Sequence, residues 1–341
     1  MSVTTKLEGL WFLRAEIINL GPVPVEPKTP DPTLRLSVIV PIKNPGAKWH
    51  EWLRALKTQT CMPAMVLVVD SESTDESAQQ AKAAGFEVLH IAAKDFAHGA
   101  TRQLALNQVA PHSDWVVFLT QDAILAHENA LEHLMQAFQS QPRMAACYGR
   151  QLPHPEANAI ESHFRHFNYP PQSHEMQLQD KARLGLRTCF FSNSFGAYRV
   201  SNLLAIGGFP QNVILGEDTW VAAMLLKAGY TVGYKAESCV YHSHHYSIRE
   251  EFRRMFDTGV FHAQNPWLRS DFGAAEKRGL VFVKSQLFEL ASKKPSLLPK
   301  AMLINAVKLM GFRMGLMHRH WPLKFNRFCS MHPLHWKIPS A

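Results

Sequence analysis

The amino-acid sequence predicts an α/β fold in which strands and helices alternate along the chain. Within fewer than one hundred residues, four short runs of apolar and β-branched residues recur, each typical of a buried strand. The segments between these runs have the composition of helices, and a turn residue such as Gly85 ends one of them. This alternation indicates a parallel sheet with helices on both faces. The predicted strands are Leu36–Val40, Met65–Val69, Phe86–Ile91 and Trp115–Leu119.

The remaining elements are predicted from capping and turn residues. Ser247 and Glu250 form a capping-box pattern that opens a helix. The predicted helices are Trp49–Gln59, a helix capped by Ser73 or Thr74 and ending at Ala84, Thr101–Ala110, Leu215–Lys227 before Gly229, and Ser247–Phe261. In the less regular second half, strands are predicted at Phe190–Tyr198, Thr231–Tyr234 and Cys239–His242.

Composition indicates a folded protein with an excess of positive charge. Hydrophobic residues make up 46% of the 341 residues and charged residues 19%, and the net charge is +8. The positive charge is explained equally well by solubility alone and by attraction to diphosphates or to an anionic membrane. No basic cluster with interleaved aromatic residues indicates nucleic-acid binding. The five cysteines form no CxxC pair and fit reduced thiols in the cytosol.

One large domain with appended ends is predicted. Residues 1–35 form an extension with a short amphipathic helix around Leu10 and a proline-rich linker, residues 36–265 form the domain, and residues 266–341 form a helical C-terminal extension. The first residues carry acids and lack the pattern of a signal peptide, and no stretch is apolar for long enough to span a bilayer. We therefore expect a cytoplasmic protein whose contact with a membrane, if any, is peripheral and on its inner face.

Two aspartates follow predicted strands. Asp70 comes directly after the second strand and Asp122 lies shortly after the fourth. Ligands of such sheets bind beyond the carboxyl ends of the strands. A single aspartate there is equally well explained as a helix cap, but two in this arrangement favour a ligand site.

Eight segments occur in a fixed order along the chain: SVIVPIKN, VVDSESTD, HGATRQ, FLTQDA, NSFGAYR, GGFP, ILGEDTW and YHSHHYS. Together they resemble the family 2 glycosyltransferases, and within them the bacterial dTDP-L-rhamnose-dependent rhamnosyltransferases. The resemblance covers about residues 36–262. It implies the GT-A fold, with a Rossmann-like nucleotide-binding half in a mixed central sheet. It also implies inverting transfer of a sugar, L-rhamnose from dTDP-L-rhamnose, onto a polysaccharide or lipid-linked glycan.

The resemblance implies which residues bind the nucleotide. Asp70 meets the base or ribose, and Pro41, Lys43 and Ser71 line the same cleft. The serine is equally well explained as a plain turn residue.

The segment HGATR is also placed near the nucleotide by the resemblance. A glycine at Gly99 allows close backbone approach, the helix N-terminus at His98 favours anions, and Arg102 can bind phosphate. The alternative for this arginine is an ordinary solvated position.

A divalent cation site is expected at Asp122, which matches the last acid of the family's DxD motif. Thr120 replaces the first acid and Gln121 lies between, so the motif departs from the family pattern. Magnesium often takes only one or two carboxylates in addition to phosphate and water. The resemblance implies Mg²⁺ or Mn²⁺ held by Asp122 and His242, with Gln121 beside the nucleotide sugar.

Asp218 matches the family's catalytic base, which removes the proton of the acceptor hydroxyl. The neighbouring Glu217 is expected to orient the site, and Trp220 to pack on the sugar or nucleotide or else in the core. Arg249 lies on a later helix, where contact with the diphosphate and a solvated position are both open.

The C-terminal segment Lys300–Trp321 is apolar with interspersed bases. It is predicted either to pack on the domain as a helix or to lie on an anionic membrane. Two alternative functions stay open and a third is disfavoured. A UDP- or GDP-sugar donor stays open, as does a catalytically inactive nucleotide- or carbohydrate-binding module. A dinucleotide-dependent oxidoreductase is disfavoured because PIKNPG stands where GxGxxG is needed.

Overall fold

The computed structural model describes residues 35–273 and 276–336, so the predicted N-terminal helix and proline-rich linker lie outside the described residues. Within them a nine-stranded mixed sheet runs in the order β3-β2-β1-β4-β8-β6-β9-β5, and β7 pairs with β9. The strands are β1 (Leu36–Ile42), β2 (Met65–Asp70), β3 (Glu87–His90), β4 (Trp115–Leu119), β5 (Ile124–Leu125), β6 (Met144–Leu152), β7 (His174–Met176), β8 (Phe195–Arg199) and β9 (Thr231–Tyr241).

Helices cover both faces of this sheet. They are α1 (Lys48–Lys57), α2 (Ser77–Ala83), α3 (His98–Val109), α4 (Ala130–Ser140), α5 (Ala159–Asn168), α6 (Lys181–Leu184), α7 (Val200–Ala205), α8 (Glu217–Lys227), α9 (Ile248–Gln264), α10 (Pro266–Phe272), α11 (Glu276–Lys293), α12 (Leu298–Leu316) and α13 (Leu323–Cys329). Among the residues described, no helix is both long enough and apolar enough to cross a bilayer.

Strand alternation divides the core into two clusters, one on each face of the sheet. In β1, Ile39 belongs to one cluster, whereas Val38 and Val40 belong to the other. Successive side chains of a strand point to opposite faces, so a strand buried on both faces must be apolar throughout. Strands β3, β2, β1 and β4 are mutually parallel, while β8 is antiparallel to both β4 and β6. The predicted parallel half is confirmed, and the complete sheet is mixed.

Several predicted boundaries are wrong, among them the start of α3 at His98 and the end of α9 at Gln264, and three further elements differ as follows. Helix α2 begins at Ser77 because the Asn44 side chain binds the Thr74 amide at 2.7 Å and Asp70 binds that of Ser73 at 3.1 Å, which holds a loop there. Strand β8 begins only at Phe195. The two short strands predicted after residue 230 are one strand, β9, whose pairing with β6 is interrupted at residues 236–238.

Helix α12 packs against α9 with its backbone in direct contact. A Cβ atom at Gly315 would lie 2.0 Å from the carbonyl oxygen of Phe256, and one at Gly311 would lie 2.5 Å from that of Phe252. From the other side, a Cβ at Gly259 would lie 2.2 Å from the carbonyl oxygen of Phe312. The predicted C-terminal helix therefore packs on the sheet domain.

Gly315→Ala is expected to destabilise the fold by about 1–3 kcal/mol, because the added methyl group meets backbone that cannot rotate away. The matched control is Gly279→Ala on the exposed side of α11, where a Cβ meets nothing within 4 Å. That change should stabilise the protein by up to about 1 kcal/mol through helix propensity. Urea unfolding of both variants measures the difference, and equal stabilities would contradict the close packing of α9 and α12.

Candidate active site

A cavity of about 990 Å³ opens at the carboxyl ends of the parallel strands. Pro41, Lys43 and Ser71 line it from the ends of β1 and β2, and Gln121 lines it from the loop after β4. The amino end of α3, which begins at His98, forms a further part of its wall. The volume lies at the upper end of the range for small-molecule sites, and the position is the one where α/β sheets bind ligands.

A second cluster joins the loop after β4 to the chain that follows β9. A carboxylate oxygen of Asp122 lies 3.4 Å from Nε2 of His242 and 3.3 Å from Nδ1 of His244. The three ligand atoms lie within 4.8 Å of one another. For cation–ligand bonds of about 2.1 Å, neighbouring ligand atoms are separated by about 3.0–3.4 Å, so the distances from the carboxylate to both imidazoles suit a shared divalent cation.

The protonation of this cluster favours a cation. Burial lowers the pKa of His242, and burial together with His242 lowers the pKa of His244 to about 3, so both imidazoles are neutral at pH 7. Burial alone would raise the pKa of Asp122, but in the acidic range where this carboxyl group titrates the imidazoles are protonated, and their charge holds its pKa well below the usual range. One ionised carboxylate therefore faces two neutral imidazoles.

Gln151 and Arg165 fix which nitrogen of His242 faces Asp122. Arg165, which can only donate, hydrogen-bonds to Oε1 of Gln151, and this orients the amide. The same oxygen lies 2.9 Å from Nδ1 of His242, so Nδ1 must carry the hydrogen. The lone pair of Nε2 then points at Asp122, as a metal-ligating histidine requires.

An acidic pair opens helix α8. Gly216 precedes it with φ of +78°, a conformation that suits glycine, and a Cβ there would lie 2.9 Å from the Phe261 ring. Glu217 is buried and forms a 3.2 Å ion pair with Arg102, while Asn193 donates to the same carboxylate at 3.1 Å. Asp218 is half-buried and accepts hydrogen bonds from the backbone amides of Asn193 at 3.2 Å and Thr219 at 2.7 Å.

The two carboxyl groups differ in pKa for identifiable reasons. Burial and the adjacent carboxylate of Glu217 raise the pKa of Asp218 to about 7. Burial opposes ionisation of Glu217 as well, but the guanidinium of Arg102 lowers its pKa. Two neighbouring carboxyl groups whose pKa values are shifted in opposite directions are typical of an acid–base site. The pKa of Asp218 is close to that of an effective general base at neutral pH.

Hydrogen bonds link the cation cluster to Asp218. Gln151, the partner of His242, donates to the hydroxyl of Ser192 at 2.8 Å. The next residue, Asn193, donates its amide hydrogen to Asp218 at 3.2 Å. The two candidate centres therefore belong to one connected site.

The structure places the other predicted residues as follows. His98 and Arg102 line the cavity with Pro41, Lys43, Ser71 and Gln121. Asp70, predicted to meet the base or ribose, is buried and is not part of the cavity wall; a carboxylate oxygen lies 3.1 Å from Nδ1 of His90. Gln121 joins the two loops, since its side-chain oxygen accepts from the Lys43 amide at 2.7 Å.

Three predicted binding residues have protein partners instead. Trp220 packs edge-on against Trp267, with ring centroids 6.2 Å apart. The guanidinium of Arg249 lies over the ring of Phe328. Gly99 closely approaches the protein's own backbone, since a Cβ there would lie 1.8 Å from the carbonyl oxygen of Pro210.

Sequence reasoning missed His244 and Gln151 as members of the site. The spacing of His242 and His244, two residues apart after a strand, was the available signal, because alternate residues of extended chain share a face. Gln151 carries no comparable signal, since it contacts a residue 91 positions away.

The mixed sheet with helices on both faces and a cavity at its carboxyl edge defines a GT-A-like fold. A model of the family described as Glycosyl transferase family 2 matches residues 37–205. The chain belongs to this family and is a glycosyltransferase.

Two curated relatives extend the similarity to nearly the whole chain. The O-antigen chain rhamnosyltransferase WbaN of Salmonella anatum is 44% identical over 304 residues, which cover 88% of this chain and 95% of the relative. The O-antigen chain rhamnosyltransferase RfbN of Salmonella typhimurium strain LT2 is 43% identical over 307 residues, covering 89% and 96%.

A solved structure confirms the fold. The mannosyltransferase PcManGT from Pyrobaculum calidifontis, in complex with GDP-Man and Mn²⁺, matches with a TM-score of 0.57. The two chains are 17% identical, and the match covers 85% of this chain and 90% of the other.

Proposed function

We propose that this glycosyltransferase transfers L-rhamnose from dTDP-L-rhamnose, with inversion, onto an O-antigen-type polysaccharide or its lipid-linked precursor. The observation that carries the proposal is the 43–44% identity, over nearly the full length, to two O-antigen chain rhamnosyltransferases. The site chemistry supports an inverting mechanism, because it offers one carboxyl group with a pKa of about 7. Its neighbour Glu217 is engaged by Arg102 and Asn193.

In the proposed reaction, Asp218 accepts the proton of the acceptor hydroxyl. The hydroxyl oxygen bonds to the anomeric carbon while the bond from that carbon to the diphosphate oxygen breaks, and the diphosphate leaves with the bonding electrons. Attack from the opposite face inverts the anomeric configuration. The two backbone amides at Asp218 hold the carboxylate in place, and Glu217 keeps its pKa high enough to take a proton near pH 7.

The donor is proposed to occupy the cavity. Pro41, Lys43, Ser71 and Gln121 face the nucleotide, with Asp70 positioning the loop behind them. His98 and Arg102 at the start of α3 face the diphosphate side, where the helix N-terminus favours anions.

The cation is proposed to be bound by Asp122, His242 and His244. It would neutralise the charge of the diphosphate as it departs. Mg²⁺ prefers oxygen ligands, whereas imidazole suits softer cations, so two histidines beside one carboxylate favour Mn²⁺ over Mg²⁺.

Thermal-shift titration tests the donor. We expect dTDP-L-rhamnose with Mn²⁺ to raise the melting temperature more than UDP-glucose or GDP-mannose at equal concentration, because a ligand stabilises the state that binds it. Transfer of rhamnose to a lipid-linked acceptor is then followed by mass spectrometry. Preference for a UDP- or GDP-sugar would contradict the rhamnose assignment and leave the family unchanged.

Contact with an anionic membrane is a second part of the proposal. The outward face of α12 carries exposed Met302, Leu303, Leu309 and Met310, and Met317 at its C-cap continues this side of the helix at a spacing of about seven residues. Residues 298–336 contain six lysines and arginines and no acid. An apolar stripe with surrounding bases is typical of a helix that lies in the membrane interface.

Vesicle sedimentation tests this contact. The protein should sediment with phosphatidylglycerol vesicles and much less with phosphatidylcholine vesicles, and Leu309→Glu should lower the bound fraction at least about fivefold. The control is Leu204→Glu, which replaces a comparably exposed leucine on α7. Equal binding by both variants, or dimerisation through α12 without vesicle binding, would contradict the membrane proposal.

A further inference from the structure

The last described residues, Ser330–Trp336, return from α13 to the cavity and are called the strap here. Met331, His332, Leu334 and Trp336 all line the cavity, so its wall includes a segment more than one hundred residues beyond Asp218. The sequence had indicated only an appended C-terminal extension. The strap therefore contributes side chains to a site otherwise built from the sheet domain.

Asp257 on α9 fastens the strap. Its side chain is fully buried and accepts the amide hydrogen of Met331 at 2.8 Å. Burial raises the pKa of Asp257 to about 6, although hydrogen bonds from Ser330 and from the Met331 and His332 amides favour the charged form and so lower it. Burying a carboxyl group is costly, and the hydrogen bonds that offset this cost come from the strap.

The strap brings His332 to the amino end of α3. The rings of His332 and His98 lie 4.8 Å apart and perpendicular to each other. One helical turn further on, Arg102 lies buried in the same wall, with Nη1 on Glu217 and a buried Nε that has no hydrogen-bond partner among the described residues. Nε1 of Trp336 is likewise buried without a partner in that part of the chain. Three nitrogen-bearing side chains, those of His98, Arg102 and His332, thus line the same cavity.

We propose that the strap is a wall of the nucleotide-donor site and that His332 donates a hydrogen bond to the donor's diphosphate, opposite His98. This proposal rests on the proposed function of the cavity as the donor site. It assigns binding of the leaving group to two segments that are far apart in the chain, with α3 supplying one side and the strap the other. Asp257 is a positioning residue, because it acts on the donor only through the strap.

Calorimetric titration with dTDP in the presence of Mn²⁺ tests the assignment on the full chain. His332→Ala should weaken dTDP binding about tenfold, as loss of one charge-assisted hydrogen bond does. His332→Gln keeps an N–H donor and should retain most of the affinity. Asp257→Asn should also weaken binding, whereas the control His320→Ala, at an exposed position outside the cavity, should not.

Hydrogen–deuterium exchange of the unmodified protein gives a second readout that needs no variant. Saturating dTDP should slow exchange of the strap amides while leaving those of α11 unchanged. Binding of dTDP with equal affinity in all variants and no change in strap exchange would overturn the strap's role alone. Failure of the unmodified chain to bind dTDP would overturn the proposed donor together with it.

Discussion

Asp218→Asn should lower kcat for glycosyl transfer by roughly 10³-fold while leaving donor affinity nearly unchanged. The substitution preserves the shape of the side chain and removes the proton acceptor. Asp218 is the half-buried carboxyl group whose pKa is raised to about 7 by burial and Glu217, whereas Glu217 is occupied by Arg102 and Asn193. Steady-state kinetics with the acceptor, together with dTDP affinity, separates loss of the base from loss of binding.

The pH dependence checks the same assignment. Only the deprotonated carboxylate accepts a proton, so kcat/KM should rise about tenfold per pH unit below pH 7 and level off above it. The variant should lose this rise. Asp114→Asn is the matched control, because Asp114 makes a solvent-exposed ion pair with Arg35. If Asp218→Asn keeps wild-type turnover, Asp218 is not the base; if the unmodified protein binds donor without turnover, the inactive-module alternative gains support.

The parallel half of the sheet was predictable because its strands are buried on both faces. A strand such as β4, Trp115–Leu119, must then be continuously apolar, and its sequence limits coincide with those in the structure. Strand β6 escaped prediction because MAACYGRQL mixes small and polar residues. Its Gly149 is required where a Cβ would meet the Phe195 ring at 2.3 Å, a tertiary demand that local propensity does not carry.

The candidate site was predictable where each residue follows a strand or opens a helix. Asp122 and Asp218 are of this kind, and the structure places both in one hydrogen-bonded site. Other members arise from contacts between distant segments. Gln151 meets His242 across 91 positions, and His332 reaches His98 only because Asp257 holds the strap. Such contacts depend on how β6, α9 and the strap pack, which no local pattern specifies.

Because Thr120 replaces the first acid of the cation motif, we expect the imidazoles of the cluster to be essential for cation binding. His242→Ala should weaken Mn²⁺ binding at least about tenfold and lower kcat at least about a hundredfold. With Thr120 in place of an acid, Asp122 supplies the carboxylate of the cluster, so each imidazole carries a larger share of the binding. Mn²⁺ affinity is measured by electron paramagnetic resonance with dTDP present and absent, independently of turnover.

The chain supplies its own control for this experiment in the segment YHSHHYS. His245 lies three residues beyond His242, but its Nδ1 faces Glu161 at 2.6 Å, so His245→Ala should leave Mn²⁺ binding unchanged. Gln151→Ala should fall between the two, because Nδ1 of His242 would lose the acceptor that keeps Nε2 free for the cation. Equal Mn²⁺ affinity in the His242 and His245 variants would contradict the three-residue site. Weak binding in both would instead place the cation elsewhere along this segment.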